Sequence, residues 1–96
     1  MSQRILKIIE RADALDEAVH SAIAGARLDI LLRGPGIRGL ERQVLATFVD
    51  RGVRVFFVSE DAEARGLTGE PVDGAEPVAQ GALPRLLADY DQVWHW

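Results

Sequence analysis

No cysteine occurs anywhere in the 96 residues. Its absence rules out disulfides, thiolate metal sites and every mechanism that needs a thiolate nucleophile. Lysine is almost as scarce, since Lys7 is the single lysine and arginine supplies the rest of the basic residues. These arginines are scattered and the formal net charge is −4. A nucleic-acid surface would need a concentrated phosphate-neutralising patch, so no direct nucleic-acid partner is expected. No apolar run approaches the ~20 residues needed to cross a bilayer. The Met1-Ser2-Gln3-Arg4 start lacks a cleavage pattern, so no membrane association is expected and the cytoplasm is the expected location. With only His20 and His95 on distant segments and no thiol, the chain has no metal-ligand set, and no cofactor is expected.

What is present describes one domain over residues 1–96. At this length a chain buries only about 60 to 65% of its unfolded surface, so a partner would help it. Ile5 to Ile9 is short, β-branched and bounded by charge, the pattern of a first strand. Lys7 falls inside it and reads as an aliphatic stem laid on apolar surface with its head in water. Asp13 then suits an N-cap, and Leu15, Ala18, Val19, Ala22, Ile23 and Ala26 repeat at helical spacing. On that helix His20 follows Asp16 and Glu17 at ion-pair spacing on the polar side, which reads as a surface pair.

Leu28 to Leu32 forms a second strand and breaks into Gly34-Pro35-Gly36-Ile37-Arg38-Gly39. The glycines satisfy G-x-G-x-x-G, and Glu60-Asp61 lies roughly the ~20 residues further on at which a dinucleotide fold places its ribose-binding acid. The motif nevertheless follows the second strand instead of the first, and the chain is too short for two nucleotide-binding halves. Pro35 also removes an N–H from the loop. What survives is a candidate anion site at Arg33, Gly34, Gly36 and Arg38, where the two arginines would clamp a phosphate, a sulfate or a partner carboxylate. The alternative is a tight strand-to-helix turn with solvated arginines.

Leu40, Val44, Leu45, Phe48 and Val49 continue at helical spacing up to Gly52. Val53 to Val58 stays apolar from Val55 onward, the pattern of a strand buried on both faces, and is expected in the middle of the sheet. Ser59-Glu60-Asp61 opens a short helix through Ala62, Ala64 and Arg65 to Gly66, with its acids matched to the helix dipole. The stretch from Leu67 to Gly81 is loop apart from a short strand at Pro77-Val78-Ala79. Pro84 suits a first helical turn, and Leu83, Leu86, Leu87 and Tyr90 share one face. Gln92 to Trp96 is a last strand, with Trp94 and Trp96 on one side and His95 on the other.

Strands alternating with helices give a three-layer α/β/α sandwich with a mostly parallel sheet of about five strands, in the expected order 2-1-3-4-5. The few short helices leave an edge or part of a face uncovered, and another subunit is the natural cover. Val93, Trp94 and Trp96 mark that interface, because tryptophan is enriched at interfaces and is an odd side chain to leave in water.

The run from Val55 to Gly69, Val-Phe-Phe-Val-Ser-Glu-Asp-Ala-Glu-Ala-Arg-Gly-Leu-Thr-Gly, resembles the apolar strand, Glu-Asp and Ala-Arg-Gly-Leu pattern of the DsrH/TusB family of the sulfur-relay superfamily. Arg4 to Glu10 looks like that family's opening strand and Leu28 to Leu32 its second. Asp89-Tyr90 lies in the region of its tail, and a terminal tryptophan is also typical. The resemblance implies assembly with DsrE/TusD-like and DsrF/TusC-like subunits, which pass persulfide sulfur toward 2-thiouridine in tRNA or within sulfur oxidation. It places the carrier cysteine of the sulfur-bearing subunit at Val58 or Ser59, neither of which forms a persulfide. The glycine loop is a second departure, since family members usually have a polar residue and a single Gly-Val there. The expected role is therefore a non-catalytic subunit of such a hetero-oligomer, and not an enzyme. The alternative is a stand-alone homo-oligomeric module that binds an anion or nucleotide at the glycine loop.

Overall fold

The computed structural model describes residues 4–11, 28–41, 48–50, 52–66 and 75–95. The helix expected between Asp13 and Ala26, His20, the loop after Gly66 and Trp96 lie outside them. Five strands form one sheet: β1 (Ile5–Ile9), β2 (Leu28–Leu32), β3 (Val55–Val58), β4 (Ala75–Val78) and β5 (Gln92–His95). Every neighbouring pair is parallel. Two short α-helices are described, α1 (Ser59–Ala64) and α2 (Leu83–Leu87), together with a 3-10 segment over Gly34–Glu41 and a 3-10 turn over Gln80–Ala82.

The α/β sandwich with a parallel sheet is the expected class, but the strand order is β4-β3-β2-β1-β5 instead of 2-1-3-4-5. The chain steps from β1 through β4 in one direction, and only its last strand returns to the far side of β1. Apolar runs show which strands are interior, and β1, β2 and β3 all have them, so the pattern does not rank the three. The middle strand is consequently β2, with β3 one place nearer the edge.

This order also accounts for the layers. A right-handed crossover puts its connection on one face when the chain steps one way and on the other when it steps back. The connections after β2 and β3 bring Ile37, Phe48 and Ala62 onto one face, against Ile9, Ile30, Leu32, Val55 and Phe57. The returning connection from β4 to β5 carries α2 to the opposite face. There Leu83 and Tyr90 pack with Leu6, Ile8, Leu31, Phe56 and Val58. Successive side chains in a strand point to opposite faces, so the unbroken apolar runs feed both layers at once. Each fully buried aliphatic side chain contributes about 1.5 to 3 kcal/mol of transfer free energy.

Pro84 stands in the first turn of α2, where its missing N–H costs no helical bond. Tyr90 lies beyond the helix but joins the same cluster. Its hydroxyl donates to Asp29 Oδ2 at 2.6 Å, tying the approach to β5 to the start of β2. Burial pushes the Tyr90 phenol up from its ordinary pKa, and the hydrogen bond to Asp29 adds to the shift. Asp29 Oδ1 also accepts from the Arg54 backbone N–H at 3.1 Å, which draws β3 to the same carboxylate.

Candidate functional site

In parallel sheets ligands gather at the carboxyl ends of the strands, beside the point where the connections reverse direction. With the observed order this point lies between β1 and β5, so the residues flanking it are Glu10 and Arg11 on one side and His95 on the other. The order expected from sequence put Ser59 to Asp61 beside the reversal. In the structure they sit two strands away from β1, at the end of β3.

The glycine loop is built by close approach. A Cβ on Gly36 would overlap the carbonyl oxygen of Ile9 and lie 2.7 Å from its carbon, both backbone atoms of β1. Only glycine lets the loop pass there. Gly34 has φ +53°, the left-handed region. Its N–H donates to Asp61 Oδ2 at 2.8 Å, while the Gly36 N–H donates to the Arg33 carbonyl at 3.0 Å. Pro35 has no N–H to give. The first three positions of the loop therefore keep their amides within the chain, with the Asp61 carboxylate standing where an external anion would be held. Arg33 is half-buried and Arg38 exposed, and Arg33 gives its own N–H to the Ile9 carbonyl at 3.1 Å.

The neighbouring acid has a parallel task. Glu60 accepts from the Gln80 N–H through both carboxylate oxygens, at 2.9 and 3.0 Å, and from the Ser59 hydroxyl at 3.0 Å. Glu60 and Asp61 thus brace the turns that follow β4 and β2, where sequence reasoning had matched them to the dipole of their own helix. The backbone bond from Gln80 holds the Glu60 carboxyl below its ordinary pKa, and the Ser59 hydroxyl acts in the same direction. A carboxylate made less basic is a poor general base, so the Ser59–Glu60 contact does not activate the hydroxyl as a nucleophile. Ser59 also lies 3.4 Å from the Val78 carbonyl, and Val58 is buried. Among the described residues no cluster of three or more His, Cys, Asp or Glu is placed to hold a metal ion.

The expected interface strand is an edge. Val93 packs partly into the α2 layer, and Trp94, 44% exposed, is the one large hydrophobic side chain left in water among the described residues. Its indole N–H donates to Gln92 Oε1 at 2.9 Å. Beneath it lies Lys7, only 2% exposed, with Nζ 5.2 Å from the indole centroid. Here the sequence reading is corrected: the Lys7 side chain is buried, and its head lies against the Trp94 indole of the neighbouring strand β5 and not in water. A cation against a Trp face is favourable, and the contact holds the edge indole over the sheet.

The other edge is closed by different chemistry. Pro77 removes one N–H from β4, and Glu76 is engaged by Arg54, whose Nε and Nη2 donate to its two oxygens at 3.2 Å each. The Arg54 guanidinium also stacks 4.8 Å from the Phe56 ring centroid. Proline and paired charge both discourage further strands from adding.

No protein-family model matches the chain. No curated protein matches it either. Among solved structures it is similar to one described as the crystal structure of the ychN protein from E. coli, with a TM-score of 0.79 and 18% identity over 100% of both chains. No helix among the described residues is long and apolar enough to cross a membrane. The likeness to YchN is one of fold, and it supports the α/β class with a parallel sheet.

Proposed function

We propose that the chain is a cysteine-free, non-catalytic subunit of a sulfur-relay complex of the DsrEFH/TusBCD kind, assembled with DsrE/TusD-like and DsrF/TusC-like subunits. One observation carries the reading: a full-length likeness to a sulfur-relay fold coincides with a sequence that has no thiol at all. Sulfur relay proceeds by thiolate attack and transfer of the outer sulfur, so a protein of this fold without cysteine acts on its neighbours and not on the sulfur. At the position that the resemblance assigns to the carrier cysteine stand Val58, which is buried, and Ser59, whose hydroxyl donates to Glu60. The exposed end of β5, with Trp94 at its surface, supplies the contact.

The test is co-expression with relatives of the same fold that do carry cysteine. One assembly retaining all the chains through affinity and size-exclusion steps supports the proposal. A chain that elutes alone and ignores its relatives overturns it. The competing idea of an anion- or nucleotide-binding loop has less in its favour, because Asp61 and the Arg33 carbonyl already take the amides it would use.

A further inference from the structure

β5 is fastened at its entry and thinly held at its far end. At the entry Arg4 and Asp91 are joined reciprocally, the Arg4 N–H donating to Asp91 Oδ2 at 2.8 Å and the Asp91 N–H to the Arg4 carbonyl at 2.8 Å. The Arg4 guanidinium stands 4.9 Å from the Tyr90 ring centroid, and the Tyr90 hydroxyl donates to Asp29. Beyond this clasp the side chains come out of the core. Gln92 and Val93 are half-buried and Trp94 and His95 exposed, whereas β3 is buried throughout and β1 and β2 at four of their five positions each. The only described strand beside β5 is β1. Segments with few buried apolar groups and one pairing partner open locally at free energies well below that of global unfolding. β4, at the opposite edge, also has no buried side chain, but Glu76 within it is fastened to Arg54 through both carboxylate oxygens.

The loosely held end of β5 lies against the Lys7 amine. Trp94 is the register partner of Lys7, and Nζ stands 5.2 Å from the indole centroid. A side chain only 2% exposed is thus covered on this side by an indole that is itself 44% exposed. We propose that Val93 to His95 form a lid. With Tyr90 and Asp91 held by the clasp as its hinge, the lid lifts from β1 while the rest of the sheet stays folded, and it uncovers Lys7 to solvent.

The lid needs only this one chain and is independent of the sulfur-relay reading. Closed, it gives the amine to Trp94; open, it gives the amine to solvent. The reactivity of the chain's single lysine therefore reports the position of β5.

Two amides separate local lifting from global unfolding. The Gln92 N–H donates to the Arg4 carbonyl at 3.3 Å, so by alternation the Trp94 N–H also turns to β1 and follows the lid. The Ile30 N–H donates to the Arg54 carbonyl at 2.9 Å in the middle of the sheet and follows global unfolding. Amide exchange by NMR and labelling of Lys7 with an amine-reactive reagent, read by mass spectrometry, are measured on the unmodified chain over low urea concentrations. Lifting exposes little surface, so Trp94 exchange and Lys7 labelling are expected to stay nearly flat in urea while Ile30 exchange rises steeply. Val93→Ala removes part of the lid's packing on the α2 layer and is expected to speed Trp94 exchange and Lys7 labelling together, about fivefold each. Phe57→Leu, on β3 and in the other layer, is expected to speed Ile30 exchange and leave the other two rates unchanged. Lys7 labelling that rises with urea as steeply as Ile30 exchange, or that Phe57→Leu speeds equally, would show that only global unfolding reaches the amine and would overturn the proposal. So would a Val93→Ala chain in which Trp94 exchange quickens and Lys7 labelling does not, since something other than the lid would then cover the amine.

Discussion

Replacing Gly36 with alanine adds one methyl group at the most crowded main-chain crossing among the described glycines. The new Cβ would overlap the Ile9 carbonyl oxygen, lie 2.7 Å from the Ile9 carbon and 3.1 Å from Glu10 Cα. All three are backbone atoms of an interior strand held on both sides, by β2 and by β5, or of the residue that follows it. No side chain can rotate away, so either β1 or the loop must move. Overpacking of this kind costs typically about 1 to 3 kcal/mol. The Ile9 carbonyl also accepts the Arg33 N–H at 3.1 Å, and a displaced loop loses that bond. Such a bond is worth about 1 kcal/mol net, which brings the expected loss to about 2 to 4 kcal/mol. For a domain of this size the loss corresponds to a fall in Tm of at least about 10 °C. Urea denaturation followed by tryptophan fluorescence measures it, with Gly34→Ala as the control. Gly34 has φ +53° but nothing within 4 Å of the position its new methyl would take, so the control should lose only the left-handed penalty of about 1 to 2 kcal/mol. A Gly36→Ala protein within about 0.5 kcal/mol of the parent would refute the close-approach account, because that is the range of an ordinary surface substitution.

Two further outcomes follow from the geometry. Because the folded-state pKa of Glu60 is depressed, its contact with the Gln80 N–H adds stability that is complete above the ordinary glutamate range and is lost as pH falls through the folded value. Glu60→Gln should therefore flatten the acid limb of the stability-versus-pH curve, and an unaltered acid limb would contradict the bracing role. Lys7, the single lysine, should resist amine-reactive labelling in the folded chain, and Trp94→Ala should raise its labelling rate severalfold by mass spectrometry. Equal rates in the two proteins would show that the indole does not cover the amine.

The elements were legible where apolar runs were short and clearly bounded. Ile5 to Ile9 and Leu28 to Leu32 are strands over the residues their patterns mark, and Gly66 follows α1 as its punctuation suggests. Strand order was not legible, because three interior strands with equivalent apolar runs do not reveal which lies between the others. That error displaced the reversal point from β1 and β5 to β1 and β3. Lys7 was misread because nothing within its own strand shows that Trp94 of β5 lies against its amine. The glycine pattern was visible, but its cause was not. G-x-G-x-x-G spacing is shared by phosphate cradles and tight crossings, and only the Ile9 carbonyl beside Gly36 and the Asp61 carboxylate on the Gly34 amide separate the two. Pro77, by contrast, announces an edge from sequence alone, and pairing this signal with the unguarded Gln92–His95 strand would have pointed to unequal edges.

The role proposed for this chain is that of a subunit that serves sulfur relay without itself carrying sulfur. Native mass spectrometry of the chain co-expressed with its cysteine-bearing relatives and loaded with a persulfide donor tests it most directly. The expected result is one assembly that contains this chain, with added sulfur mass confined to the relatives. Relatives that assemble and load sulfur fully while this chain remains apart would contradict it.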